Sequence, residues 1–217
     1  MTLGTLSDDL FLRLTKSAPT DDFELEETQV MYLLAQERDN IVKQYLDAQI
    51  KAAQPLETQY KDRVAADTLE IEDDALIVVD DERMYVEVPH QPLPLINDMG
   101  IMQVLTQEYL PVDRFRVENF TIYQNLRFAK ASPKHLCWYR DGRKCIIKGL
   151  TQKNRENDKF VVDYFPAIAS QTLTRSTDIK LSDALLPMLT GNVEVLLRRQ
   201  VYETVQDVVN DGIQAPQ

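Results

Sequence analysis

The stretch CWYRDGRKC, from Cys137 to Cys145, gathers most of the reactive side chains of this chain into nine residues. Cys137 and Cys145 are its two cysteines, and His135 stands two residues upstream. A nucleophilic thiol needs a base within reach and a third group to orient that base. His135 and Cys137 would lie side by side on one strand, with no orienting group evident in sequence. A zinc site fares no better. Zinc takes four ligands in recurrent pairs, whereas the cysteines are eight residues apart and His90, the other histidine, sits among prolines in PHQPLPL. The thiols flank a turn, and its length decides what they face. A two-residue Asp-Gly loop sets Trp138 opposite Cys145. A three-residue Arg-Asp-Gly loop sets Cys137 opposite Cys145 and makes a disulfide conceivable. Free, partly buried thiols are the expectation in a cytoplasm.

Other chemistries are equally thin. Six glycines are scattered singly, so no phosphate-cradling loop is present. The acidic runs EIEDDA and VVDDE lack the spacing of a calcium loop. Trp138 and Tyr139 beside Arg140, Arg143 and Lys144 are the residue types of a stacking platform for single-stranded nucleic acid. The alternative is a Trp and a Tyr divided between core and surface. We therefore expect no enzyme, no cofactor and no bound metal.

The elements that hold these residues are read from periodicity. Thr5–Ala18 reads as a short helix with Ser7 as N-cap. Phe23–Ala53 is the strongest helix signal, with Val30, Leu34, Ile41 and Tyr45 at helical spacing and a length of about 45 Å. Asp74–Pro89 reads as two strands folded about Asp80–Arg83, and Gly100–Pro111 as an extended segment. Val112–Ser132 places aromatics at helical intervals and reads as a helix. Lys134–Leu150 is a hairpin, Lys159–Phe165 a strand, and the last segment a helix capped by Ser182, with Leu189, Val193, Leu197, Val201, Val205 and Val208 as its apolar stripe. The expected architecture is α+β: a helical layer of the long N-terminal helix and the C-terminal helix, with a small antiparallel sheet and hairpin region. The chain reads as one domain, comprising a helical part over 1–62, a mixed part over 74–166 and the C-terminal helix over 181–210. The two apolar stripes are expected to pack on each other, with Arg198 and Arg199 reaching Glu37 or Asp39.

The net charge of −11 is unevenly placed. Residues 1–82 hold 20 acidic and 7 basic side chains, and residues 127–159 hold 10 basic and 3 acidic. Such a split suits contact between neighbouring copies or with a partner. Arg140, Arg143 and Lys144, at the expected hairpin tip, are the candidate interface residues. No apolar run approaches the roughly 18 residues of a membrane span. The N-terminus lacks the basic flank of a signal peptide. Synthesis in a cytoplasm is expected.

Three stretches in this order resemble small virion structural proteins of tailed bacteriophages of Bacteroidetes, including crAss-like podoviruses. They are VMYLLAQERDNIVKQYLDA, then GIMQV with CWYRDGRKCIIKGL and KFVVDYFP, then LSDALLPMLTGNVEVLLRRQVYETVQDVVNDG. The resemblance covers about two thirds of the chain. PHQPLPL and the acidic N-terminal third are outside it. It implies a ring protein of the neck or tail, a head-to-tail connector below the portal. The ring would be dodecameric, contact the portal and other ring proteins, and let genomic DNA pass through its lumen. It implies no active-site residues.

Overall fold

A computed structural model describes residues 1–17, 26–52, 67–80, 83–116, 131–132, 135–150 and 159–211. The chain divides into two compact units. One joins residues 1–44 to residues 172–217, and the other spans residues 45–171.

The first unit is helical. Helix α1 (Leu3–Ser17) buries Leu3, Leu6, Leu10 and Leu14, a three-to-four spacing that keeps one face dry. Ser7 is not its cap. The helix already begins at Leu3, and Ser7 is buried within it. The first free amides are satisfied by main chain instead: Leu3 and Gly4 donate to the carbonyls of Thr177 and Arg175. Helix α2 (Glu27–Lys51) is 25 residues long, shorter than expected at both ends. It buries Val30, Leu34 and Ile41. Fully buried Arg38 on α2 donates to the carbonyls of Ile179 and Lys180, each at 3.1 Å, and to Asp39 at 2.9 Å. A buried guanidinium is tolerated when its hydrogens are used in this way.

Helix α3 (Leu186–Asp211) starts four residues after Ser182, whose main-chain oxygen accepts a turn bond from Leu185. Pro187 falls in its first turn, where the missing N–H costs nothing. Leu189, Val193 and Leu197 are fully buried. The side chains of Val201, Val205 and Val208 lie outside the described residues. α3 packs on α1, a neighbour the sequence did not suggest. Arg198 does not reach Glu37 or Asp39; it pairs with Glu194 one turn back at 2.7 Å. It is Asn192 that reaches Glu37, at 2.7 Å.

The second unit overturns the expected small hairpin region beside a helical layer. Its described residues form eight strands: β1 (Glu70–Leu76), β2 (Val78–Asp80), β3 (Arg83–Glu87), β4 (Ile101–Thr106), β5 (Asp113–Arg114), β6 (Cys137–Asp141), β7 (Lys144–Lys148) and β8 (Lys159–Tyr164). They form a three-stranded sheet in the order β1-β8-β4 and a five-stranded one in the order β2-β3-β7-β6-β5. Only Ile77 separates β1 from β2, so one bent strand serves both sheets. On the other side, Val112 donates to Val104, and Leu105 bridges Pro111 just before β5. The pairing therefore runs almost all the way round as a nearly closed, mixed barrel. Closure also protects edges that an open small sheet would leave unpaired.

The inward faces follow from the registers. Trp138 pairs with Ile147, and Val86 with Cys145, while Val104 and Val162 pair across the other sheet. Together with Phe160, Tyr164, Ile101 and Ala75 they make one apolar core. Trp138 is 1% exposed and donates its ring N–H to the Val112 carbonyl at 3.1 Å. The helix expected from Val112 is overturned over 112–116, because β5 runs parallel to β6 there. The remainder of that segment, from 117 to 130, lies outside the described residues.

Candidate functional site

Strand β6 ends and β7 begins at a two-residue loop, Gly142-Arg143, between paired Asp141 and Lys144. Gly142 has φ +63° and Arg143 does not have a positive φ. That is the type II′ arrangement, with glycine at the first central position. Neither of the expected registers is formed. The loop is shifted by one residue, so Arg140 faces Cys145 and Cys137 faces Lys148. Both thiols are free and buried. Burial pushes Cys145 up to about 12, although Arg140 and Arg114 pull the other way. Burial and the nearby Asp113 carboxylate also raise Cys137.

The shift changes what the three candidate interface residues do. Arg140 points along the inward face, with its side chain 8% exposed. It donates to the carbonyls of Gly142 and Pro92 and to Asp98. Arg143 is half-exposed but is held by Glu87 at 2.5 Å and by the Pro89 carbonyl. Lys144 lies 4.1 Å from the centre of the Tyr85 ring, and its hydrogen bond with Tyr85 holds the ammonium above the ordinary lysine range.

Two arginines that sequence reasoning passed over join Arg140 at this end of the barrel. Arg114 on β5 stacks 5.3 Å from the Trp138 ring and donates to the Asp98 carbonyl at 2.7 Å and the Asn97 carbonyl at 3.1 Å. Burial lowers its pKa, opposed by Asp98 and reinforced by Arg140 and Arg116. Arg116 reaches the Asn97 side-chain oxygen at 2.7 Å. The turn they hold is itself unusual, since Asn97 and Asp98 both have left-handed φ, +56° and +62°. Asn and Asp tolerate this conformation best among residues other than glycine. Gly100 follows, where a Cβ would sit 2.0 Å from the Leu93 carbonyl oxygen. The sequence signal was available: Arg114 and Arg116 alternate in DRFRV, a strand period rather than a helical one.

This arrangement is a plug, with guanidinium hydrogens directed at main-chain oxygens and one carboxylate. The same geometry removes the stacking platform, because Trp138 is sealed inside the barrel. His135 does acquire an orienting group, since its Nε2 is 3.3 Å from Asp113. Cys137, however, is a buried thiol with a raised pKa, the reverse of an activated nucleophile. Among the described residues no cluster of His, Cys, Asp and Glu could hold a metal ion.

The opposite end of β4 carries a different feature. The turn after Thr106 is pinned by Thr106 donating to the Leu110 carbonyl and by Tyr109 donating back to the Thr106 carbonyl. Tyr109 has φ +58° and is 65% exposed; Leu110 is 56% exposed. A bulky residue in the left-handed region costs about 1 kcal/mol or more.

The chain matches no protein-family model and none of the curated proteins it was compared with. No helix among the described residues is long and apolar enough to cross a membrane.

Proposed function

We propose that the protein is a virion structural subunit: one copy in a ring of a tailed-phage neck or tail, made in the host cytoplasm and incorporated below the portal. The ring connects head to tail, contacts the portal and neighbouring ring proteins, and surrounds the path of the genomic DNA. It performs no catalysis. The sequence resemblance supplies the setting. The observation that supports the reading is that apolar side chains stand exposed on both units, among them Tyr109 and Leu110 at the tip of the barrel unit and Met188 and Val195 on the outer face of α3. A ring closes through heterologous contacts, in which one surface of a copy meets a different surface of the next. The net charge of −11 also suits a conduit along which DNA slides without adhering.

The direct test is genetic. Phage lacking the gene should accumulate DNA-filled heads without tails, and antibody to the protein should label the neck or tail of intact virions. Absence of the protein from purified virions would overturn the reading.

A further inference from the structure

Two positions carry backbone choices that no contact among the described residues explains. Gly191 lies within α3 and is exposed, and a Cβ there would meet nothing within 4 Å. Glycine inside a helix is unfavourable compared with alanine, so the missing side chain is unexplained by internal packing. Tyr109 is the second, a large side chain held in a left-handed turn and directed at solvent.

Their surroundings are complementary. At 100° per residue, Met188, Gly191, Val195 and Arg199 fall within roughly an 80° arc of α3, away from buried Leu189, Val193 and Leu197. Met188 is 47% exposed, Val195 50% and Leu196, at the margin, 39%. This is an apolar stripe with a gap at Gly191, and exposed Arg199 at one end makes no ion pair among the described residues. The barrel tip is the converse: Tyr109 and Leu110 project beside exposed Glu108, which makes no ion pair among the described residues either.

We infer that the Tyr109–Leu110 tip of one copy inserts at the Gly191 gap of α3 on the next copy, with Glu108 paired to Arg199. The inference rests on the ring reading in taking the occupant to be a second copy of this chain. The charges favour that occupant, because this carboxylate and this guanidinium, each without an ion pair among the described residues, stand beside the two apolar parts that would meet. The contact joins unlike surfaces and so propagates head to tail.

Cysteine cross-linking of the full-length chain tests it. The endogenous thiols are buried and stay silent. Mild oxidation of the doubly substituted Tyr109→Cys, Val195→Cys chain should give a ladder of covalent oligomers. An equimolar mixture of the two single variants should stop at a heterodimer, and each single variant alone should remain monomeric. Adding Glu108→Lys to the double variant should weaken the ladder at least fivefold, and adding Arg199→Glu as well should restore it. Monomer alone, or a dimer from Val195→Cys by itself, would overturn the inference, as would failure of the charge swap to rescue. Absence of a ladder with the protein still found in the virion neck or tail rejects this contact and spares the ring reading. A ladder from a protein absent from virions does the reverse.

Discussion

The two ends of the barrel use opposite materials for opposite purposes. At one end Arg114, Arg116 and Arg140 gather round the Asn97–Asp98 turn, and their hydrogens go to its main chain, to Asn97 and Asp98, and to the Pro92 and Gly142 carbonyls. At the other end an aromatic and an aliphatic side chain stand in solvent on a pinned turn. Charge is therefore structural where a surface role was expected, and apolar residues are exposed where burial would be usual. Basic composition alone does not identify a binding face. What matters is whether the guanidinium hydrogens already have acceptors.

The largest expected effect comes from Gly100→Ala. Its Cβ would overlap the Leu93 carbonyl, so the turn entering β4 must shift. A loss of about 3 kcal/mol or more in urea unfolding is expected. Next is Arg140→Ala, which empties the space of a side chain 8% exposed and takes the donor from the part-buried Pro92 carbonyl, while exposed Asp98 and Gly142 turn to water. A cost of about 2–4 kcal/mol is expected, against about 0.5 kcal/mol for Arg143→Ala on the neighbouring exposed position. Equal costs for the two would remove the distinction between plug and surface. It follows that reversing Arg140, Arg143 and Lys144 together would not leave the fold intact, whereas reversing Arg143 and Lys144 alone should.

The buried thiol at the plugged end makes a pH test. Cys145 is raised from 9.0 to about 12 by burial, with Arg140 and Arg114 opposing. Below the unfolded value both states keep the proton and this contribution to stability is intact. As pH rises past 9, only the unfolded chain releases it, so stability falls until the folded value is passed. Burial and the Glu70 hydrogen bond raise Tyr164 as well, with the same sign. A loss on the order of a few kcal/mol between pH 9 and 12 is expected from these groups. Cys145→Ala should flatten that arm in pH-dependent thermal melts. The smallest effect belongs to the tip. Tyr109→Gly should leave stability unchanged or raise it by about 1 kcal/mol, because it relieves a left-handed residue that is 65% exposed. A marked loss would mean that the tip is part of the fold.

Strong local signals were legible in the sequence. Asp141-Gly142 marked the hairpin and Leu189, Val193 and Leu197 marked the buried face of α3. The hairpin register was not legible, because DG can occupy several loop positions and the choice depends on pairing with β3 and β5. The barrel was missed for a related reason. Its closure depends on contacts remote in sequence, such as β1 with β8, and on a two-residue parallel pair between β5 and β6 too short to give a period. The aromatic spacing that suggested a helix from Val112 hid the strand alternation of Arg114 and Arg116. Arg140 looked like surface because its burial is a tertiary fact: its partners Pro92 and Asp98 lie more than forty residues away.

On the proposed reading this chain acts by assembling with copies of itself on a portal. Native mass spectrometry of the purified protein, alone and mixed with the portal, tests it most directly. Alone, the protein should be monomeric or weakly associated at micromolar concentration. With the portal it should give one discrete complex whose added mass is a fixed whole number of subunits, forming a closed ring. Persistence of free monomer beside an undecorated portal would contradict the account.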